Sequence, residues 1–514
     1  MAPLAAGGAD TAPSLVFVGF MGSGKSRALR RAREAGLDGV DTDELLEARA
    51  GVSIPELFQR EGEDGFRARE QELVLGCLGE GHPAVALGGG AILSAAIRDA
   101  LREHVVVWMR VPLEELWRRT EGSQRPLARE RDEFERLYDE RVGLYAAAAD
   151  AVMLSADAVP EALESLRSLA AARPARMIWA ESASGCYPVW VGAGVLARAG
   201  SLAGGRSYCI TDSNIPKPYI EEIDPETTIT VPAGEGAKTM AEVEVVLREL
   251  ADRGATRSDH IVALGGGVVG DLAGFCAATY QRGIPVIQAP TTLLAQVDSA
   301  YGGKTGVDLP GAKNYVGAYH QPAGVVVDVG VLRTLPPQEL AAGFVEVVKT
   351  GLIAGPTTWD RVKALGALEP EALAPLVFDC ALTKLQIVAE DERDRGRRAV
   401  LNLGHTVGHA IEAASGYARY RHGEAVGLGL LAALRLSGAE QLRGEVADLL
   451  AGHDLPIDLD QEISIDEIIA AIGRDKKRTS AAGLGFVLVE RPGVVKYGQT
   501  VDAARVRDAV EELR

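Results

Sequence analysis

Ser14-Leu-Val-Phe-Val-Gly19-Phe-Met-Gly22-Ser23-Gly24-Lys25-Ser26 runs from a short apolar stretch straight into a glycine-rich turn ending in lysine and serine. The apolar residues read as a buried strand, and the pattern after Ser26 as a helix over 26–36. In that strand–turn–helix context, Gly19-x4-Gly24-Lys25-Ser26 is a phosphate cradle. Its glycines let backbone N–H groups approach phosphate oxygens, and the helix N-terminus adds the positive end of its dipole. Gly22, Ser23 and Gly24 would wrap a nucleotide's phosphates, Lys25 would hold the β/γ-phosphates, and Ser26 would offer its hydroxyl to Mg2+.

Outward from the cradle, apolar strands at 84–87, 104–109 and 151–154 alternate with helical patterns at 42–50, 55–60, 63–80 and 159–171. That alternation predicts an α/β unit, a parallel sheet with helices on both faces, over 1–170. Small residues, a proline and two arginines at Ala170–Arg176 predict a linker at 171–176. Strands resume at 177–180, 187–191, 207–211, 261–264, 286–289 and 325–328, a second, Rossmann-like α/β domain over 177–335. From 336 to 514 the pattern is mainly helical, with one late strand pair at 485–490 and 494–497.

A chain of 514 residues exceeds what one core usually supports, so several domains are expected. Its 72 acidic against 54 basic residues give a net charge of −18, which argues against a nucleic-acid partner. An anionic ligand must then be gripped by local Lys/Arg clusters. Five scattered cysteines without CxxC spacing fit a reducing cytoplasm and offer no thiolate metal site. Neither a signal peptide nor a run of about 18–20 apolar residues is read, so a cytoplasmic protein without membrane spans is expected.

A second chemistry lies far from the first. Gly265-Gly266-Gly267-Val268-Val-Gly-Asp271 follows a buried strand and enters a helix, a modest pyrophosphate-binding signal. Gly404-His405-Thr-Val-Gly-His409 is followed by His422-Gly-Glu424, so three of only eight histidines fall close together. His405 and His409 share one helix face. The spacing points to a metal and leaves open which imidazoles ligate it.

Residues 14–150 resemble the shikimate kinase family. Asp41-Thr-Asp43, Phe66-Arg67-x-x-Glu70, Gly88-Gly89-Gly90, Arg125-Pro-Leu127 and Arg141 before Leu144-Tyr145 all match its motifs. The resemblance implies that Asp41 joins Ser26 in placing Mg2+, while Asp43 contacts the acceptor hydroxyl and takes its proton. Arg67 and Arg141 would bind the acceptor carboxylate, Gly88, Gly89 and Gly90 would admit it, and Arg125 would stabilise the transferring phosphate of ATP. Bidentate guanidinium contacts suit a small polyol acid. Arg27, where a small hydroxyl residue is usual, and Gly143, where proline is commoner, depart from the pattern.

Residues 177–514 resemble 3-dehydroquinate synthase through Pro232–Lys238, Pro290–Leu294, Gln296–Thr305, Lys313-Asn314, Glu346-Val-Val-Lys349 and Leu401–Glu412. The resemblance implies NAD against Asp212, Glu235, Lys238, Gly266, Gly267, Val268, Asp271, Thr291 and Thr292. It implies Zn2+ (or Co2+) on Glu346, His405 and His422, leaving His409 to the substrate. A heptulosonate phosphate would meet Asp298, Lys304, Lys313, Asn314, Lys349, Lys384, Arg398, Asn402, His409 and one of Lys476 and Lys477. Arg282 would come from a neighbouring subunit, implying a homodimer. Among these, Asp298, Lys304, Lys349, Arg398 and His409 would act in the chemistry, as would Lys25, Asp43 and Arg125 in the kinase half. The expected enzyme is bifunctional: ATP-dependent phosphorylation of shikimate, and NAD-dependent cyclisation of 3-deoxy-D-arabino-heptulosonate 7-phosphate to 3-dehydroquinate. Other readings stay open for the C-terminal half, a related sugar-phosphate cyclase or a metal-dependent polyol dehydrogenase, and for the kinase half a silent domain.

Overall fold

The computed structural model describes residues 12–121, 130–310, 312–478 and 485–514. They divide into two compact units, Met1–Ala180 and Glu181–Arg514. The first carries six strands: β1 Leu15–Val18, β2 Gly39–Asp41, β3 Ala84–Ala86, β4 Val105–Met109, β5 Ala151–Met153 and β6 Arg176–Ser182. Their order is β2-β3-β1-β4-β5-β6 and every pairing is parallel. Leu15, Val16, Phe17 and Val18 are all buried, as a strand covered on both faces requires. The two helices expected at 55–60 and 63–80 form one stretch, Ile54–Gly79, broken at Gly62, whose φ of 72° is non-helical.

The segment read as a linker is tied into this first unit. The Arg173 guanidinium donates to the Arg102 and His104 carbonyls and pairs with Asp150 at 3.0 Å. Met177–Trp179 then add β6 beside β5, so the unit runs on to Ala180.

In the second unit the strands are β7 Gly185–Gly192, β8 Ser207–Asp212, β9 Thr227–Val231, β10 His260–Gly265, β11 Val286–Pro290 and β14 Gly324–Asp328. They pair in parallel as β7-β14-β11-β10-β8-β9. Between β11 and β14 the chain turns out an antiparallel hairpin, β12 Lys304–Leu309 and β13 Ala312–Tyr319. Helices dominate after Pro337, apart from a closing pair of strands, β15 Phe486–Arg491 and β16 Val494–Gln499. The helix Pro370–Glu390 is long and apolar enough to cross a membrane by composition, yet two-thirds of its apolar window is buried inside the protein. It is a core helix, and it carries Lys384.

Both units deliver their ligand-seeking residues at the carboxyl ends of parallel strands, where open α/β sheets leave a crevice. The P-loop follows β1, Asp41 ends β2 and Gly88 follows β3. Likewise Asp212 ends β8, Gly266 follows β10 and Thr291 follows β11.

Candidate active sites

The P-loop is built on left-handed glycines. Gly22 has φ 80° and Gly24, the residue before the helix Lys25–Glu34, has φ 93°. A side chain at Gly19 would come within 2.6 Å of Ser23 Oγ and 2.8 Å of the Met109 carbonyl. Lys25 Nζ donates to the Phe20 carbonyl at 3.1 Å, across the loop it would close on a phosphate. Ser26 is exposed at the helix start. Arg27 forms a two-pronged pair with Asp157, at 2.8 Å and 2.6 Å from Nη2. Gly143 lies within the helix Arg131–Ala148, with open space where a side chain would stand.

Opposite the loop, one hydroxyl ties two motifs together. Thr42 donates to the Ala86 carbonyl at 3.1 Å and accepts the Gly88 amide at 3.2 Å. Asp41 caps the next helix, accepting the amides of Asp43 at 3.0 Å and Glu44 at 3.4 Å. A side chain on Gly88 would come within 2.6 Å of both Asp43 Oδ1 and Glu70 Oε1, and one on Gly90 would overlap the Arg67 guanidinium. Arg67 pairs with buried Glu70 at 2.6 Å, and Tyr145 donates to the Gly89 carbonyl at 2.5 Å. Arg141, 3% exposed, lies over the Phe20 ring at 5.8 Å. The Nε groups of Arg67 and Arg141 are buried without a hydrogen-bond partner. Two such donors beside a glycine floor fit a small carboxylate. Ser26 and Asp41 offer the hard oxygen donors that Mg2+ prefers. Arg125 lies outside the described residues.

In the second unit a cavity of about 1360 Å³ is lined by all nine residues expected to meet NAD. Gly266 and Gly267 start the helix Gly267–Thr279, with Thr292 and Ser299 packed where side chains would otherwise project. Lys238, 4% exposed, pairs with Asp271 at 2.6 Å and donates to Asn314. Burial raises the Asp271 carboxyl, and Lys238 only partly opposes it. A glycine turn at a helix start, lining a cavity at the carboxyl ends of parallel strands, fits a dinucleotide.

Asp298, Lys313, Asn314, His409 and His422 line the same cavity. Asp298 sits in a π-helical turn, Ala295–Ser299, and Lys384 Nζ meets both its carbonyl at 2.6 Å and its carboxylate at 2.7 Å. Burial works to raise the Asp298 carboxyl, but Lys384 and Lys349 outweigh it and hold it well below the usual carboxylate range. Burial wins at Lys384, whose ammonium is lowered despite Asp298.

One imidazole nitrogen from each of His405, His409 and His422 lies within 4.8 Å of the other two. Glu346, wholly buried on the helix Pro337–Ala354, places Oε1 3.6 Å from His405 Nε2 and 3.7 Å from His422 Nε2. That oxygen accepts no hydrogen bond among the described residues. Its partner Oε2 is 2.5 Å from Lys349 Nζ. His405 Nδ1 faces the Leu403 carbonyl at 3.1 Å, which puts its proton there and leaves Nε2 free to ligate. Burial, then the Lys349 charge, keeps His405 well below its usual pKa and therefore neutral, the form a metal requires. Burial pulls His422 down too, but Glu412, 3.5 Å from its Nδ1, and Glu346 outweigh it. An orphaned buried carboxylate oxygen between two oriented imidazoles fits a divalent cation with open positions.

Other expected substrate residues stand apart from the cavity wall. Lys304 pairs with Asp394. Arg398 is buried and donates to the Glu392 carbonyl at 2.5 Å and the Gly302 carbonyl at 3.2 Å. Asn402 closes the short helix Arg397–Asn402, and Arg282 is exposed with φ 73°. The side chains of Lys476 and Lys477 lie outside the described residues. Glu412, Glu70 and Tyr145 carry no role from sequence alone, since each acts through a neighbour, although Glu70 and Tyr145 stand within matched motifs and Glu412 lies three residues beyond His409.

Residues 228–342 and 343–478 match the families described as 3-dehydroquinate synthase N-terminal and 3-dehydroquinate synthase C-terminal. Residues 21–170 match shikimate kinase. A 3-dehydroquinate synthase of Symbiobacterium thermophilum is 43% identical over 352 residues, covering 64% of this chain and 98% of that protein. Among solved structures, a 2-deoxy-scyllo-inosose synthase complexed with carbaglucose-6-phosphate, NAD+ and Co2+ is 28% identical with a TM-score of 0.58, covering 65% of this chain and 99% of that one. A 2-epi-5-epi-valiolone synthase from Streptomyces hygroscopicus with NAD+ and Zn2+ bound is 25% identical with a TM-score of 0.58, covering 64% and 96%.

Proposed function

The chain belongs to the 3-dehydroquinate synthase family and carries a shikimate kinase domain ahead of it, a bifunctional shikimate-pathway enzyme, and we propose how its residues divide the work. The first unit phosphorylates shikimate with ATP. The second converts 3-deoxy-D-arabino-heptulosonate 7-phosphate to 3-dehydroquinate with release of phosphate. The observation carrying the synthase assignment is the buried, unpartnered Glu346 oxygen between His405 and His422, beside the cavity that the Gly266–Gly267 turn also lines.

In the kinase unit, Arg67 and Arg141 grip the shikimate carboxylate through their unsatisfied Nε donors, and the glycine floor admits the ring. That orients a hydroxyl toward Asp43, which accepts its proton. Lys25 turns from the Phe20 carbonyl to the phosphates, and Arg125 meets the charge that develops on transfer.

In the synthase unit, Glu346, His405 and His422 would hold Zn2+ or Co2+, and the nine cavity residues from Asp212 to Thr292 would hold NAD. When bound, the metal polarises a substrate hydroxyl and NAD accepts and returns a hydride. Lys349 and Lys384 supply positive charge for an anionic substrate, each already anchored by a carboxylate. Asp298, kept ionised, fixes Lys384 rather than serving as an acid. His409, exposed to the cavity, moves a proton at the substrate. Lys304, Arg398 and Asn402 add further polar contacts to the substrate. Arg282 reaches the site of a second copy, which makes the enzyme a homodimer, and the reduced cysteines suit a cytoplasmic location.

The 43% identity to a 3-dehydroquinate synthase across nearly its whole length favours this substrate over those of other cyclases. A polyol dehydrogenase would release NADH in step with turnover, whereas here the hydride returns and absorbance at the nicotinamide band stays flat. The purified protein should release phosphate from the heptulosonate phosphate with NAD+, lose that activity on chelation, and form ADP only when shikimate is present. Lys25→Ala should abolish ADP formation alone. Failure of either activity in the wild type would refute that half of the assignment.

A further inference from the structure

The helix His405–Ala414, which bears His405 and His409, ends in two consecutive left-handed residues, Gly416 at φ 65° and Tyr417 at φ 59°. Glycine adopts that conformation freely; a bulky L-residue does so at a cost and is uncommon there. Burial does not compensate, because Tyr417 is 54% exposed. Its amide donates to the Glu412 carbonyl at 2.8 Å, a bond any residue but proline could make. What the tyrosine adds is its ring, which lies 4.5 Å beneath Lys313 Nζ, and both residues line the cavity. Lys313 has a longer approach to exposed Glu235, at 3.8 Å.

An aromatic face attracts an ammonium through its quadrupole without cancelling its charge. Lys238, Lys349 and Lys384 instead pair with carboxylates at 2.5–2.7 Å. We propose that Tyr417 is a positioning residue of the synthase unit, holding the Lys313 ammonium at the cavity mouth with its charge available to the substrate's phosphate. This rests on the synthase reading above. The ring restrains a side chain with four rotatable bonds, so less entropy is lost when phosphate arrives.

The test compares full-length wild type with Tyr417→Leu, Tyr417→Phe, Lys313→Met and the Tyr417→Leu/Lys313→Met double variant. Steady-state KM and kcat are read for the heptulosonate phosphate, and dissociation of inorganic phosphate is read by titration calorimetry. Tyr417→Leu should raise both KM and the phosphate dissociation constant about two- to fivefold, the worth of one exposed cation–π contact, with little change in kcat. Tyr417→Phe should recover most of that loss, and the double variant should match Lys313→Met. Should Tyr417→Leu fold poorly, Tyr417→Gly keeps the left-handed backbone without the ring and should show the same loss. Unchanged constants in the ring-less variants would overturn the inference. So would a full additive effect on top of Lys313→Met, or a fall in kcat that phenylalanine does not rescue. The calorimetric arm reports on Tyr417 even if wild-type turnover were to refute the assigned reaction.

Discussion

The two units solve anion binding in opposite ways. In the kinase unit the grip is left open: Arg67 and Arg141 keep buried Nε donors that nothing among the described residues satisfies. In the synthase unit cations are bound in advance to carboxylates, Lys349 to Glu346 and Lys384 to Asp298. The difference follows from depth and number. A few guanidiniums near a glycine floor can await a substrate carboxylate, because each keeps other contacts, Glu70 for Arg67 and the Phe20 ring for Arg141. Ammonium groups buried almost completely, with a dense neighbourhood of like charge, would lose their protons without internal anions.

The contrast breaks most visibly at Glu346. Glu346→Gln should cut dehydroquinate formation on the order of 10³-fold, while shikimate-dependent ADP formation stays unchanged. It also strands the buried Lys349 charge, so chemical denaturation should show the synthase unit about 3–5 kcal/mol less stable. Equal loss in both assays would mean that the units do not work separately.

Glu412→Gln tests whether the oriented His422 matters beyond the ligands themselves. About a 10- to 100-fold loss of metal affinity is expected, seen as synthase activity failing at lower chelator concentration. On the open-handed side, Arg141→Lys should raise the KM for shikimate roughly tenfold, because it removes the buried Nε donor.

The smallest effect is a pH dependence. Asp298 is held below its ordinary value, so its contribution to stability is complete above the unfolded carboxyl pKa, about 3.9, and fades as pH falls through the lower folded value. Thermal melts of wild type and Asp298→Asn should therefore differ by a constant amount from pH 7 to 5 and converge only below about pH 4. Convergence already near pH 6 would show that Lys384 does not keep the carboxylate charged.

Local signals are legible in the sequence. The P-loop is a contiguous run between a buried strand and a helix, and the break in helicity before residue 63 coincides with Gly62. β2, with three residues, is too short to signal itself, and the β12–β13 hairpin leaves no sequence signal because its second strand is mostly exposed and has no apolar run. Tyr315, on that strand, is 71% exposed. β9, Thr227–Val231, is rich in threonine and offers no apolar run to mark it. At the metal centre, His405 and His409 were visible as a helical pair, but Glu346 is distant in sequence and came only through resemblance. The linker estimate rested on composition alone, which is silent about Arg173 anchoring its own segment to Asp150 and two carbonyls.

The crowded floor of the kinase pocket has a consequence for anyone wishing to retrain it. Gly88 has Asp43 and Glu70 at its back, and Gly90 has Arg67 where a methyl group would go. Mutant libraries that randomise this tripeptide will mostly return displaced arginines rather than altered appetites, so a broader acceptor range has to be sought in the walls.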